Sequence, residues 1–119
     1  MNTAEQMKVD TFVRRYRRGA INSLLEYIIL ANLAGARTCG YDIIRLVYDR
    51  FHVLLSPGQV YPVIDSLAEQ GLVYRKKDGR RVLLNLSNLG KSLLKCWQYE
   101  HDSIQLQLNN LFAKEEAAV

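Results

Sequence analysis

LSPGQVYPVIDSLAEQGLVYRKKDGRRVLLNL, residues 55–86, contains the change of pattern that decides the fold of this 119-residue chain. In its first half Val60, Val63, Ile64 and Leu67 recur at three- and four-residue steps, which gathers them on one side of a helix. Ser56 is a good N-cap, and Pro57 suits the first helical position, where its missing N–H is no loss. Gly71 closes that helix. In the second half Leu72–Lys76 and Val82–Leu86 read as short strands, with Asp78-Gly79 as the tight turn between them.

Helical spacing also runs upstream. Leu24, Tyr27, Ile28 and Ala31 mark a helix over Ile21–Leu33, with Gly35 as a left-handed stop. After a connection at Ala36–Gly40, a second helix over Tyr41–His52 has Ile43, Ile44, Val47, Tyr48 and Phe51 on one face. Downstream, Ser87 caps a long helix reaching about Phe112, with Leu93, Trp97, Ile104, Leu108 and Leu111 near a heptad rhythm. Residues 1–18 form a basic arm or a short helix, because Phe12, Val13 and Tyr16 sit at helical spacing. The order helix, helix, helix, hairpin, helix is mainly α with a small β-hairpin. It is the pattern of a winged helix-turn-helix followed by a long C-terminal dimerisation helix. The expected divisions are 1–18, 19–86 and 87–119.

The bulk properties fit one soluble domain: 49% hydrophobic residues, 24% charged, net charge +4 and pI near 9.2. The charge is segregated. Lys8, Arg14, Arg15, Arg17 and Arg18 face one acid, Asp10, and Arg75, Lys76, Lys77, Arg80 and Arg81 face Asp78. From Gln98 onward, Lys114 stands against Glu100, Asp102, Glu115 and Glu116. Cys39 and Cys96 have no metal-ligand spacing, and His52 and His101 stand alone, so no metal and no cofactor is expected. The cysteines read as buried free thiols. The first ten residues lack the apolar core of a secretory signal, and no stretch is apolar enough to span a bilayer. The expectation is a cytoplasmic protein.

Within a helix-turn-helix the second helix enters the DNA major groove, whose width of about 12 Å matches a helix with its side chains. If Val60, Val63, Ile64 and Leu67 face the core, Gln59, Pro62, Asp65, Ser66 and Glu69 face away, with Tyr61 at the boundary. Gln59 and Ser66 can read base edges or hold phosphates, and Tyr61 can donate to a phosphate. The N–H groups after Ser56 and Pro57 suit an anion. Asp65 and Glu69 repel phosphate, so only the first turn or two is expected to touch DNA. Arg75, Lys76, Lys77, Arg80 and Arg81 flank the hairpin turn as a phosphate-gripping wing, and Arg14, Arg15, Arg17 and Arg18 offer a further grip.

This segment resembles the PadR-type winged-helix transcriptional regulators, which show SPGxxYPxLxxLxxxGLV, a basic hairpin and a T-x-x-G helix start. The matching residues are Ser56, Pro57, Gly58, Tyr61, Pro62, Leu67, Gly71, Leu72 and Val73, then Leu86, Ser87 and Gly90. Gly40-Tyr41-Asp42-Ile43 is similar to the family's hGYEL motif. The departures are Ile64 for leucine, Ser87 for threonine and a shorter hairpin, and the likeness spans roughly residues 21–95. It implies a homodimer that binds operator DNA and represses transcription through C-terminal dimer contacts, in some members sensing a phenolic or drug-like ligand.

Leu93, Trp97, Ile104, Leu108 and Leu111 are the expected dimer contacts, since monomers rarely expose such a stripe. The same seam can also pack back on the chain's own first helix. Trp97 can stack on a small aromatic effector, although an interface-core role weighs more. No catalytic constellation is present, so the chain does not read as an enzyme. The competing readings are a non-specific architectural DNA binder and a winged-helix interaction module without DNA contact.

Overall fold

The computed structural model describes residues 1–118, with side chains through Ala113. In chain order it has α1 (Thr3–Ser23), α2 (Leu25–Gly35), α3 (Gly40–Phe51), α4 (Pro57–Glu69), β1 (Val73–Asp78), β2 (Arg81–Leu86) and α5 (Asn88–Ala118).

The N-terminal region differs from its sequence reading. α1 is one helix of 21 residues, started by Asn2, whose Oδ1 accepts from the Glu5 N–H at 2.8 Å. It runs through the expected boundary at residue 18. Leu24 (φ −98°, ψ 6°) then breaks the chain, so the helix expected over Ile21–Leu33 is divided between α1 and α2. Apolar spacing continues across this break, which is why the pattern concealed it. Gly35 is the last residue of α2, but it is not left-handed; the chain leaves through an extended Ala36 instead.

The core follows the apolar spacing closely. Ile29 and Leu30 of α2, Ile43 and Val47 of α3, and Val60, Ile64 and Leu67 of α4 are buried together, with Val53 and Leu55 from the α3–α4 connection. α2 buries residues on more than one side and lies at the centre, against α4, β2 and α5. α4 ends in paired reverse hydrogen bonds. The Leu72 N–H donates to the Leu67 carbonyl at 2.9 Å and the Gly71 N–H to that of Ala68 at 3.0 Å, with Gly71 at φ +75°. That reversal sends the chain directly into β1.

β1 and β2 pair antiparallel from Val73↔Leu86 to Asp78↔Arg81. Val73, Leu84 and Leu86 are buried, while the outer end is exposed. Ser87 joins three elements: its Oγ lies 2.6 Å from the Gly71 carbonyl oxygen and 2.9 Å from that of Leu72, and accepts from the Gly90 N–H at 3.0 Å. α5 leaves from there. Its first turns fold back on the core through Leu94, Leu93 and Trp97, and it then projects outward. Cys39 is half-buried and Cys96 exposed, so the expectation of two buried thiols fails for Cys96. No described helix is long and apolar enough to cross a membrane.

Ile64, 1% exposed, anchors α4 beneath the hairpin. Ile64→Ala is expected to cost about 2–5 kcal/mol, the usual range for emptying a packed core site. Urea unfolding checks this; a loss well under 1 kcal/mol would contradict the packing described.

Candidate nucleic-acid interface

The start of α4 is stiffened before any ligand arrives. Gln59 Oε1 accepts from the Ser56 N–H at 2.9 Å and from the Ser56 hydroxyl at 3.2 Å. This capping interaction occupies the carbonyl end of the Gln59 amide and leaves its NH₂ free to donate. Ser66, grouped with Gln59 in the sequence reading, sits elsewhere: seven residues further along, about 10 Å of helix. It is half-buried, with its Oγ accepting from Gln70 Nε2 at 3.0 Å.

Tyr61 covers the start of α3. A Cβ on Gly40 would lie 2.8 Å from the Tyr61 ring, so any larger residue there would push the outer end of that ring aside. Burial pushes the Tyr61 phenol above its ordinary range, with Cys39 and Tyr41 nearby adding to the effect. It therefore remains a proton donor at neutral pH.

The hairpin turn lies one residue beyond its expected place. Asp78 pairs with Arg81, so the loop is Gly79-Arg80. Gly79 has φ +62° and Arg80 does not enter the left-handed region, the sign pattern of a type II′ turn. Arg80 thus stands at the tip. At the base, the Leu84 N–H donates to the Thr38 carbonyl at 2.7 Å, adding a one-residue third rung to the sheet.

Two ion pairs divide the five basic residues of the hairpin. Arg75 pairs with Asp65 of α4. This gives Asp65 a partner and accounts for an acid on that face. Arg81 pairs with Asp42 of α3 at 2.9 Å and lies 3.4 Å from Cys39 Sγ. Asp42 Oδ2 also accepts from the Cys39 thiol at 3.2 Å and the Thr38 hydroxyl at 3.0 Å. These bonds, led by that from Cys39, hold the Asp42 carboxyl below the usual carboxylate range despite some desolvation, with Arg81 adding to the effect. Arg81 is pushed up in turn, first by Cys39 and then by Asp42. Lys76, Lys77 and Arg80 have no ion pair among the described residues.

Two hollows flank the hairpin. One of about 430 Å³ lies between it and the helices, lined by Tyr41, Tyr61, Val82 and Leu84 with Arg75 and Arg81. The other, about 220 Å³, gathers Arg37 with Lys76 and Lys77. Sequence reading missed Arg37, Tyr41 and the Thr38–Cys39–Asp42 clamp. Arg37 is a single cation in a connection, and only folding brings it beside the hairpin. Asp42, three residues past Cys39, had the spacing of a capping residue.

The remaining expected sites are scattered. On α1, Arg17 donates to the Phe51 carbonyl at the end of α3 at 3.3 Å, and Arg15 lies over the Phe12 ring at 5.0 Å. Arg14 and Arg18 are exposed. On α5, Leu93 and Trp97 pack on the chain's own core, whereas Ile104, Leu108 and Leu111 face outward. Trp97 lines a hollow of about 270 Å³ with Tyr27 and His101, whose rings stack at 5.4 Å.

No protein-family model matches the chain, and no curated protein does. Solved structures match its fold. A PadR family transcription regulator from Clostridium difficile R20291 is 23% identical with TM-score 0.67, over 75% of this chain and 98% of that one. A PadR family transcriptional regulator from Eggerthella lenta DSM 2243 is 20% identical with TM-score 0.69, over 93% and 97%. F93 from STIV, a winged-helix DNA-binding protein, is 26% identical with TM-score 0.60, over 66% and 87%. The winged-helix fold expected from the sequence is the fold the chain has, and it is shared with PadR-family regulators.

The clamp has a pH consequence. Because the folded Asp42 lies below an unfolded value near 3.9, its contribution is present above about pH 4 and lost as pH falls through the folded value. In wild type, hairpin amide protection, measured by hydrogen exchange, is expected to weaken on that descent relative to the helices. Asp42→Asn should loosen the hairpin at neutral pH and remove that pH dependence. Equal protection in both proteins would contradict the clamp.

Proposed function

We propose that this protein is a double-stranded DNA-binding transcriptional regulator, acting in the cytoplasm as a homodimeric repressor on a two-fold symmetric operator. The observation that carries the reading is the division of charge on the hairpin. Arg75 and Arg81 are spent on aligning it against α4 and α3, and Lys76, Lys77 and Arg80 are left for an outside anion.

In this reading the start of α4 enters the major groove. The N–H groups after Ser56 and Pro57 meet a phosphate, the Gln59 NH₂ reads a base edge, and Tyr61 donates to the backbone. Ser66, further along the helix, is at most a peripheral contact. Lys76, Lys77, Arg80 and the neighbouring Arg37 grip phosphates beside the groove, while Arg75 and Arg81 hold the wing at the correct angle. The α1 residues Arg14, Arg15, Arg17 and Arg18 add to the positive field that draws DNA in. The outer stripe of α5, Ile104, Leu108 and Leu111, joins two copies and sets the half-site spacing. Leu93 and Trp97 support that stripe from the core side. The hollow beside Trp97, Tyr27 and His101 is where a small aromatic effector would act.

The roles separate experimentally. Lys77→Ala and Arg80→Ala should each flatten the dependence of log affinity on log salt by roughly one unit per lost phosphate contact, on every duplex alike. An unchanged slope in both would remove the wing from the interface. Gln59→Ala should change which base is preferred at one position per half-site; a uniform loss on all duplexes would reduce Gln59 to its capping role.

A further inference from the structure

The proposed function leaves α1 without a contact role. Along Thr3–Ser23 only Ile21 is buried. Phe12 is 55% and Tyr16 79% exposed, on a helix that touches the rest of the chain chiefly at its C-terminal end. Helices in proteins draw most of their stability from packing an apolar face, so one with exposed aromatic residues calls for a covering surface.

The outer half of α5 has the matching deficit. Ile104 (58%), Leu108 (53%) and Leu111 (66%) are exposed and form one stripe at steps of four and three residues. A shallow trough runs along α1 itself. A hollow of about 670 Å³ along α1, lined by Phe12, Arg15, Tyr16, Gly19 and Ala20, reaches Ser23. Its floor is small: a Cβ on Gly19 would meet nothing within 4 Å. Small residues at that point admit a helix at close range.

Charge selects the occupant. α1 has five cations, Lys8, Arg14, Arg15, Arg17 and Arg18, against Glu5 and Asp10. From Gln98 onward the sequence has four acids, Glu100, Asp102, Glu115 and Glu116, against Lys114. The trough on α1 is therefore basic and apolar, and the outer part of α5 through Ala113, with Glu100 and Asp102 and no lysine or arginine, is acidic and apolar. We infer that α1 is a dimerisation strap, and that its trough receives the outer half of α5 from a second copy of the chain. Two-fold symmetry then places each α5 in the partner's trough, so both exposed stripes are covered by one operation.

This inference rests on the homodimer proposed above, and the test separates the two. Sedimentation velocity over a concentration series, paired with binding to a DNA duplex, is run on wild type, Phe12→Glu/Tyr16→Glu and Leu108→Glu/Leu111→Glu. The strap predicts a dimeric wild type, a monomeric α5 variant, and an α1 variant whose dimer dissociation constant rises by about 30-fold or more, as for loss of an aromatic anchor. Phe12→Ala/Tyr16→Ala should move it in the same direction with circular dichroism unchanged, which separates interface loss from unfolding. An α1 variant that dimerises as wild type does overturns the strap, and if it also loses DNA affinity, α1 is a DNA contact instead. A wild type that stays monomeric throughout overturns the homodimer and the strap with it.

Discussion

The DNA contact proposed for this protein depends on the hairpin being held in one direction relative to α4. A two-stranded ribbon alone is marginally stable and free to swing. Here its base is packed into the core through Val73, Leu84 and Leu86, and its sides are tied by Asp65–Arg75 and Asp42–Arg81. These contributions differ in kind. Both ion pairs are solvent-exposed, where such pairs are worth about 0–1 kcal/mol. Apolar burial supplies the stability and the ion pairs supply the angle. The Tyr61 ring lies against Gly40 and covers the start of α3.

That arrangement explains which parts of the fold were legible in the sequence. α3, α4, the hairpin and the start of α5 were readable because local rules agree there. Apolar spacing, a serine–proline helix start, glycine stops and a turn dipeptide all point to the same structure. The misreadings came where a local rule was silent or ambiguous. The break at Leu24 interrupts the backbone without interrupting the apolar pattern. The turn lies at Gly79-Arg80 because strand register fixes it, and the dipeptide alone allows either placement.

The candidate site was legible as a region and less so as individual roles. Charge density pointed to the hairpin, but the sequence could not separate cations that position it from cations left free. Arg75 and Arg81 look the same as Lys77 and Arg80 until Asp65 and Asp42 are brought beside them. Gln59 faces outward, as a base reader would, and its contact with Ser56 shows that it holds the helix start. The stripe on α5 likewise divides in two: Leu93 and Trp97 serve the chain's own core, and Ile104, Leu108 and Leu111 remain outside.

The most direct test of the central claim is selection of duplexes from a random pool by the purified protein, with the enriched sequences then titrated individually. The account predicts a two-fold symmetric consensus whose half-sites lie about 10 base pairs apart, or a multiple of that, as two recognition helices on one face of B-DNA require. Binding without enrichment, or no binding to duplex DNA even at low salt, would contradict it.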